Sequence, residues 1–241
     1  MTNDVAVVTG ASGGIGRETV RALLDGGRRV AALDLATEEL AAFDVDPDRL
    51  FLRATDVTDP DDVSQAFADV TGTLGTPDVL VNIAGTNRIL SLEDTDPDMW
   101  DFLLDLNLKG TYLCCRAAVP LMRSLGGGRI INMSSIFGIR GEANQVAYSA
   151  SKAGVIGLTR ALATELAPDQ ITVNALAPVM TLTPRVAGLP EEFQKLQLSK
   201  IPLGRYGSVA DIVGTIEFLL SEAGSFYSGQ TFSANGGDTM P

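Results

Sequence analysis

The sequence predicts an α/β fold: a doubly wound parallel sheet of about seven strands with helices on both faces, in a single domain spanning residues 1–241. Short apolar runs typical of strands buried on both faces alternate six times with amphipathic helical patterns, and a last strand follows. Such alternation is typical of parallel strands joined by right-handed crossovers. The chain shows no linker, repeat or low-complexity segment, so one domain is expected.

The first unit joins a buried strand to a helix through a glycine-rich turn. Val5 to Val8 predict the strand, and Gly10, Gly14 and Gly16 follow in TGASGGIG, before an amphipathic helix. Glycine permits a tight turn and close backbone approach, while the free N–H groups at a helix start favour a diphosphate. This context indicates a dinucleotide site. The alternative is a tight connection between strand and helix without a ligand.

The second strand, in RRVAALD, ends at Asp34, which lies 18 residues beyond Gly16. An acidic residue about 20 residues after the glycine-rich turn accepts hydrogen bonds from the adenosine ribose and repels the 2′-phosphate of NADP. The sequence therefore favours NAD over NADP. The alternative is that Asp34 only caps a helix beginning near Thr37.

The third and fourth strands also end in candidate site residues. Asp56 and Val57 close the third strand, in LFLRATDV, and the segment Asn82 to Gly85 closes the fourth, in PDVLVNIAG. Ligands bind outside the carboxyl ends of strands in such sheets, so these residues are candidate neighbours of adenine and ribose. Asp56 could equally cap the helix that starts at Pro60.

Two helical patterns fill residues 97–125, with Asn107 on an otherwise apolar face. A buried amide must be hydrogen-bonded, so Asn107 is either a structural bridge or a site residue. The run GGGRIINMSS then predicts a fifth strand that delivers Ser134 and Ser135 at its carboxyl end.

A tyrosine and a lysine follow with the spacing Tyr148-x-x-x-Lys152. Residues four apart share one face of a helix. An ammonium near a phenol favours the phenolate, which lowers the phenol pKa from about 10 towards working pH and suits it to general acid–base chemistry. Because the chain has no histidine, Tyr148 gains weight as the proton-transfer group. A pair on the helix surface without function is the alternative.

The end of the chain continues the alternation with one interruption. QITVNALAP predicts the sixth strand, SVADIVGTIEFLLSE a helix and SGQTFSANGG a short last strand. The segment 184–200 before that helix is long and charged and contains one glycine and two prolines, which is typical of a mobile lid over a site. The alternative is a surface excursion without function.

Together these motifs resemble the short-chain dehydrogenase/reductase family over nearly the whole chain. The TGASGGIG loop at 9–16 is similar to its cofactor loop, and the segment Asn82 to Gly85 is similar to its Asn-Asn-Ala-Gly motif with Ile in the second place. Ser135 and Asn107 precede Tyr148 by 13 and 41 residues, the usual spacings of the family tetrad. The stretches IPLGR and NGG, at 201–205 and 235–237, also resemble the family.

The resemblance implies a Rossmann-type fold and a role for each tetrad residue. Tyr148 would exchange a proton with the substrate oxygen, and Lys152 would lower the Tyr148 pKa and hold the nicotinamide ribose. Ser135 would hydrogen-bond the reacting oxygen, and Asn107 would keep a water that links Lys152 to solvent. Hydride would move to or from the nicotinamide, with the protein supplying orientation and electrostatics.

The same resemblance extends to the residues around the cofactor and the substrate. Besides Tyr148 and Lys152, the cofactor would contact Gly10, Ser12, Gly13, Gly14, Ile15, Gly16, Asp34, Leu35, Asp56, Val57, Asn82, Ala84, Gly85, Pro178, Val179, Thr181 and Thr183. The substrate pocket would be lined by Ser135, Phe137, Gln145 and Met180. Val179 stands where the family usually has glycine, so we expect a slightly displaced carboxamide or a narrower pocket.

Composition argues against several classes of partner. A net charge of -12 disfavours nucleic acid, anionic membranes and acidic proteins. The only cysteines, Cys114 and Cys115, are adjacent in an apolar helical stretch and are expected to be buried and reduced, and no metal site is expected. No apolar run reaches transmembrane length and no signal-peptide pattern is present, so a cytoplasmic location is expected. The resemblance implies a homotetramer.

These observations favour an oxidoreductase that moves hydride between NAD(H) and a small secondary alcohol or ketone. The alternative is a 3-oxoacyl-acyl-carrier-protein or acyl-CoA reductase. Such reductases tend to carry basic residues just before the fifth and sixth strands, where this chain has Gly126 and Asp169, and its acidity opposes docking of an acidic carrier. An alternative of another class is a non-catalytic NAD-sensing protein on the same fold.

Overall fold

Seven parallel strands form one sheet, in a computed structural model that describes residues 4–183, 186, 188–189 and 191–240. The strands are β1 (Val5–Thr9), β2 (Arg29–Asp34), β3 (Leu50–Ala54), β4 (Val79–Asn82), β5 (Gly128–Met133), β6 (Ile171–Leu176) and β7 (Thr231–Phe232). Their order across the sheet is β3-β2-β1-β4-β5-β6-β7. The predicted doubly wound parallel sheet is therefore confirmed.

Helices connect the strands and cover both faces of the sheet. Those with α-helical geometry are α1 (Gly14–Asp25), α2 (Pro60–Thr73), α3 (Pro97–Leu104), α4 (Gly110–Leu125), α5 (Ile136–Arg140), α6 (Val146–Leu166), α7 (Glu191–Ser199) and α8 (Val209–Leu220). A single π-helical turn, Asp105–Lys109, joins α3 to α4. Within the described ranges, no helix is both long and apolar enough to cross a membrane.

Two apolar layers sandwich the sheet, because its central strands are buried on both sides. One layer packs side chains of α2, α4 and α6, including Phe67, Met122 and Leu166, against the sheet. The other packs α1 and α8, including Val20 and Ile216, against the opposite face. This double burial explains why β1 reads as a continuous apolar run rather than an alternating one.

The two cysteines lie inside the first of these layers. Cys114 and Cys115 on α4 are both buried as free thiols. Burial raises the pKa of the Cys115 thiol to about 12 and that of Cys114 further, so both stay protonated at neutral pH. The expectation of buried, reduced cysteines is therefore confirmed.

The chain changes winding direction at β1, and this point decides where a ligand can bind. β1 pairs with β2 on one side and with β4 on the other. The chain segment that leaves β2 runs over one face of the sheet, and the segment that leaves β4 runs over the other. This divergence opens a crevice beyond the carboxyl ends of these strands. The glycine-rich turn, Asp34, Asp56, Gly85 and Ser135, which are predicted site residues, lie at or just after the ends of strands at this edge.

Neither of the two capping alternatives considered for Asp34 and Asp56 is found in the part of the chain that the structure describes. Asp59, not Asp56, caps α2, since its carboxylate accepts hydrogen bonds from the amides of Asp61 and Asp62. After β2, the chain forms a short 3-10 turn, Glu38–Ala42, which Asp34 does not cap. Both carboxylates considered for capping are therefore left for other roles.

The predicted lid segment 184–200 contains α7 and leads into Ile201, which is buried. Residues 184, 185, 187 and 190 of the segment lie outside the described residues. The described part places Val186, Leu189 and Phe193 on the wall of the crevice. Its mobility stays a prediction.

Candidate active site

A cavity of about 780 Å³ occupies the crevice at the carboxyl edge of the sheet. Of the predicted site residues, it is lined by Gly10, Ser12, Gly13, Gly14, Ile15, Gly16, Asp34, Leu35, Asp56, Val57, Ala84, Gly85, Ser135, Phe137, Gln145, Tyr148, Lys152, Pro178, Val179, Met180, Thr181 and Thr183. Asn82 and Asn107 do not line it. The sheet topology thus gathers residues that are 173 positions apart in the chain, from Gly10 to Thr183, around one space.

The glycine-rich turn packs against itself so closely that a side chain would not fit. A Cβ added at Gly16 would lie 2.1 Å from the carbonyl oxygen of Gly10. Gly10 itself has a φ of +63°, in the left-handed region. Within the described part of the chain, no side chain caps the first turn of α1, and that turn holds no acidic residue. Its N–H groups and the positive end of its dipole are therefore available to an anion such as a diphosphate.

Asp34 is held against the glycine-rich turn. Its carboxylate accepts hydrogen bonds from the backbone amides of Ser12, at 2.9 Å, and Leu35, at 2.7 Å. The Ser12 hydroxyl donates to the carbonyl oxygen of Ala36. These contacts fix the carboxylate on the cavity wall, where its remaining lone pairs can accept hydrogen bonds from ribose hydroxyls.

Asp56 also lies on the cavity wall, in a turn that it organises itself. Its carboxylate accepts hydrogen bonds from the Thr58 amide at 2.9 Å and the Thr58 hydroxyl at 2.7 Å. Its own amide donates to Asp62 at 2.7 Å. The turn presents Asp56 and Val57 side by side at the end of the cavity next to β3.

The side chain of Asn82 points into the protein rather than into the cavity. Its Nδ2 donates to Oδ1 of Asn132 at 2.9 Å and to the Cys115 sulfur at 3.4 Å. Asn132 in turn donates to the Thr159 hydroxyl at 3.0 Å. This buried chain of hydrogen bonds ties β4 and β5 to α4 and α6, below the floor of the site.

Asn107 sits in the π-helical turn and is completely buried. Its Oδ1 accepts from the Thr86 amide at 2.9 Å, while its Nδ2 donates to the Thr86 carbonyl at 3.0 Å and to the Ser151 hydroxyl at 3.2 Å. A Cβ added at Gly85 would lie 2.6 Å from that Oδ1 and 3.3 Å from Nζ of Lys152. The Asn107 side chain is thus the structural bridge that fixes the loop after β4 beside Lys152.

Lys152 and Tyr148 project from the same face of α6 into the cavity. The Lys152 ammonium donates to the Met133 carbonyl at 2.8 Å and lies 5.8 Å from the centre of the Tyr148 ring. Lys152 is only 3% exposed, and this burial lowers its pKa from 10.5 to about 8. An ammonium has three donors, so contacts to a further ligand remain possible.

Ser135 ends β5 and caps α5. Its hydroxyl oxygen accepts a hydrogen bond from the Phe137 amide at 3.2 Å, which leaves the hydroxyl hydrogen for another acceptor. The Phe137 ring packs edge-on against Tyr148, with 6.4 Å between ring centres. The guanidinium of Arg140 lies 5.1 Å from the centre of the Phe137 ring. Hydroxyl and phenol therefore face one space beside an aromatic wall.

Several residues of the cavity wall were not identified from the sequence. Ile89 contributes apolar surface, and Asn87 donates through Nδ2 to Oε1 of Gln145 at 2.7 Å, whereas Phe193, also on the wall, belongs to the predicted lid segment. Ser134 supports α6, since its hydroxyl donates to the Lys152 carbonyl at 2.8 Å. The nearest sequence signal for Asn87 was its position two residues after Gly85 at a strand end.

The fold and the site define a class of protein: an oxidoreductase that binds a nicotinamide dinucleotide and acts on CH–OH or C=O groups. The narrow glycine-rich turn, the free start of α1 and the Asp34 carboxylate fit the diphosphate and ribose of such a cofactor. Comparison with known proteins then gives the family.

A family model described as enoyl-(acyl carrier protein) reductase matches residues 10–239. A 3-oxoacyl-[acyl-carrier-protein] reductase of Staphylococcus aureus is 40% identical over 243 residues, covering 98% of each chain. A 2-dehydro-3-deoxy-L-rhamnonate dehydrogenase (NAD(+)) of Sphingomonas sp. is 38% identical over 235 residues, covering 97% of this chain and 94% of that protein. The crystal structure of gox2181 superposes with a TM-score of 0.92 at 31% identity, over 99% and 96% of the two chains. The chain belongs to the short-chain dehydrogenase/reductase family.

Proposed function

We propose that this oxidoreductase interconverts a secondary alcohol and a ketone with NAD(H), using Tyr148 as general acid and base. The observation that carries the proposal is the convergence of Ser135, Tyr148 and Lys152 on a cavity that also holds the glycine-rich turn. When bound, the nicotinamide supplies or accepts the hydride.

Each side chain has a role that follows from its contacts. The Ser135 hydroxyl, which already accepts from Phe137, donates to the substrate oxygen and orients it. Tyr148 gives a proton to that oxygen in reduction and takes it in oxidation. The buried Lys152 ammonium favours the phenolate by its charge. Asn107 holds the neighbouring loop in place; the water that it was expected to keep stays a prediction.

The cofactor preference rests on Asp34. Its carboxylate is fixed by the Ser12 and Leu35 amides at the place where a ribose is expected, and a 2′-phosphate there would meet a like charge. One of the relatives above carries NAD(+) in its name. We therefore propose NAD(H) rather than NADP(H).

Two substrate classes compete, and the relatives favour the one that the sequence placed second. Proteins named 3-oxoacyl-[acyl-carrier-protein] reductase match at up to 40% identity, which supports a 3-oxoacyl thioester. Charge supports a small free ketone or alcohol instead: Asp169 pairs with Arg123 at 2.8 Å, and Arg129 is engaged by the carbonyls of Leu219 and Ser221. These cations are thereby less available to an acidic carrier protein.

Exposed apolar side chains support an assembly of several copies of the chain. Leu92, Trp100, Phe102 and Tyr112 leave apolar surface exposed before and along α3 and α4. We propose a homotetramer in the cytoplasm, with part of this surface covered by a second copy. Sedimentation of the purified protein tests the assembly, and a monomer at micromolar concentration would contradict it.

The deciding experiment follows NADH and NADPH absorbance with small ketones, diketones, sugars and secondary alcohols beside an acetoacetyl thioester. Turnover with NAD(H) preferred supports the proposal, and the best substrate class decides between the two candidates. Preference for NADPH would overturn the Asp34 argument. Tyr148→Phe should lower kcat by about 10²–10⁴-fold while NADH binding persists. Unchanged turnover in that variant would favour another general acid, and NADH binding without any turnover in the wild type would favour a sensing protein.

A further inference from the structure

Gln145 has a buried side-chain amide on the cavity wall, and the oxygen and nitrogen of that amide have different surroundings. It is 2% exposed and precedes α6, one helical turn before Tyr148. Its backbone is fixed on both sides: its carbonyl accepts from the Ser149 amide at 2.8 Å, and its neighbour Asn144 accepts from Leu90 at 2.8 Å. The side chain therefore occupies a defined place beside the reacting groups.

Asn87 determines which end of the Gln145 amide faces the cavity. Nδ2 of Asn87 donates to Oε1 of Gln145 at 2.7 Å, so the oxygen is engaged by the protein. Among the described residues, Nε2 of Gln145 makes no hydrogen bond. It also does not belong to the fully buried polar atoms that lack a partner, so it is accessible from the cavity. Because Gln145 lines the cavity, its NH₂ group offers donors to whatever fills that space.

Donors held in this way are matched by an oxygen acceptor on the ligand. Ser135 and Tyr148 already serve the reacting oxygen under the proposed function, so the acceptor for Gln145 is a second oxygen. Gln145 directly precedes α6, one turn before Tyr148, and both residues line the same cavity, so oxygens on nearby carbon atoms of one ligand can contact both side chains. A ligand without that oxygen would leave the buried amide without a partner.

We propose that Gln145, oriented by Asn87, selects ketones and alcohols that carry a second oxygen acceptor either on the carbon bonded to the reacting carbon or on the carbon after that one. Gln145 is thus a specificity-determining residue and Asn87 a positioning residue. The inference rests on the proposed function but not on the choice between its substrate classes, because both a free diketone or hydroxyketone and a 3-oxoacyl thioester can carry such an oxygen.

The test compares NADH-dependent reduction of matched small ketones. Butan-2-one has no second oxygen; butane-2,3-dione and ethyl 3-oxobutanoate carry a carbonyl, and 3-hydroxybutan-2-one and 4-hydroxybutan-2-one carry a hydroxyl. Butane-2,3-dione and 3-hydroxybutan-2-one form the vicinal pair, with the second oxygen on the adjacent carbon, and ethyl 3-oxobutanoate and 4-hydroxybutan-2-one form the 1,3 pair, with that oxygen one carbon further away. In the wild type, kcat/KM for the vicinal pair, the 1,3 pair or both should exceed kcat/KM for butan-2-one at least tenfold. Gln145→Leu should reduce this ratio at least tenfold, because it removes the donors.

Gln145→Glu separates recognition from a structural effect, since it keeps the shape and replaces the NH₂ donors by an acceptor. A carbonyl cannot donate to that acceptor, whereas a hydroxyl can. The variant should therefore lose at least tenfold more kcat/KM for the carbonyl substrates than for the hydroxyl substrates. Gln65→Leu and Gln65→Glu on the surface of α2 are matched controls and should leave all ratios unchanged, because Gln65 contacts Asp69 far from the cavity.

The possible outcomes separate this inference from the function beneath it. If the wild type turns over ketones but shows no ratio above threefold in either pair, or if both Gln145 variants keep the wild-type ratios, Gln145 does not select the substrate and the proposed function stands. If no ketone or alcohol is turned over while NADH binds, the proposed function fails and the inference fails with it.

Discussion

At the scale of one residue, the buried charge of Lys152 lowers the free energy of unfolding of the protein. Among the described residues, this buried ammonium donates a hydrogen bond to the Met133 carbonyl, and desolvation lowers its pKa to about 8. Because the unfolded chain holds the proton up to a pKa near 10.5, the charge opposes folding below pH 8. The penalty is about 3 kcal/mol, since each pKa unit corresponds to about 1.4 kcal/mol.

This penalty predicts a pH-dependent difference between the wild type and Lys152→Met. Between pH 8 and 10.5 the unfolded wild type binds more protons than the folded one, so wild-type stability rises with pH relative to the variant. Urea unfolding of both proteins without cofactor should show the wild type gaining up to about 3 kcal/mol across that window. A stability difference that does not change with pH would contradict the assignment of Lys152 as a buried cation.

Val179 is the second prediction at residue scale. Its side chain is 6% exposed and packs with Ile136, Phe137 and Ile201 while also lining the cavity. Val179→Gly should lower the Kd for NADH, because removing the side chain leaves room beside the nicotinamide. It should also lower the free energy of unfolding by about 2–3 kcal/mol, from lost packing and added backbone freedom. Fluorescence titration and urea unfolding measure the two effects, and an unchanged Kd would remove the idea of a narrowed pocket.

At the scale of an element, the unit β1–turn–α1 depends on close backbone contact rather than on side chains. Gly16→Ala would place a Cβ 2.1 Å from the Gly10 carbonyl, so the turn must open. We expect the Kd for NADH to rise at least tenfold and stability to fall by about 1–3 kcal/mol.

Gly214→Ala is the matched control for that substitution. Gly214 lies inside α8, and a Cβ there would meet nothing within 4 Å. Alanine should therefore raise stability by up to about 1 kcal/mol through its helix propensity, with NADH binding unchanged. Equal effects of the two substitutions on NADH binding would show that the turn has no special role.

For the whole molecule, one partly buried ion cluster joins segments that are far apart in sequence. Glu142, before α6, pairs with Arg140 and with Lys200 at 2.8 Å, and Arg140 pairs with Asp238 near the C-terminus at 3.0 Å. The cluster therefore links the start of α6, the end of the segment 184–200 and the part of the chain around Asp238. Burial alone would raise the pKa of Glu142, but hydrogen bonds from Lys200 and Arg140 outweigh it and lower the pKa.

Glu142→Gln should thus destabilise the protein by about 1–2 kcal/mol at pH 7, because two partly exposed cations lose their shared partner. The Glu142 contribution is present above the unfolded pKa of about 4.5 and is lost as the pH falls through the lowered folded value. Urea unfolding between pH 7 and 3 should show wild type and variant converging. Glu18→Gln, which breaks only an exposed pair with Arg21, should cost less than about 1 kcal/mol. Equal losses in both variants would show that burial adds nothing to the Glu142 pairs.

The sequence was sufficient where a local pattern carries the information. Strand runs such as Val5 to Val8, the glycine spacing ending at Gly16 and the four-residue spacing of Tyr148 and Lys152 report on backbone geometry within a few residues. The rules for connecting parallel strands then place the ends of these elements at one edge of a sheet. The fold class and most of the cavity lining therefore follow from the order of strands and helices along the chain.

Only the tertiary structure decided which groups meet across the crossovers. Asn82 ends the strand that Gly85 follows, yet its side chain bonds Asn132, because the register of β4 and β5 places these two residues directly side by side in the sheet. Asn87 and Gln145 are 58 residues apart and face each other because the loop after β4 packs against the start of α6. Periodicity along a chain determines which face of a helix or strand is apolar. The partner of a buried polar group depends instead on how elements that are distant in sequence pack together. For this reason, the orientation of the Gln145 amide could be found only in the folded protein.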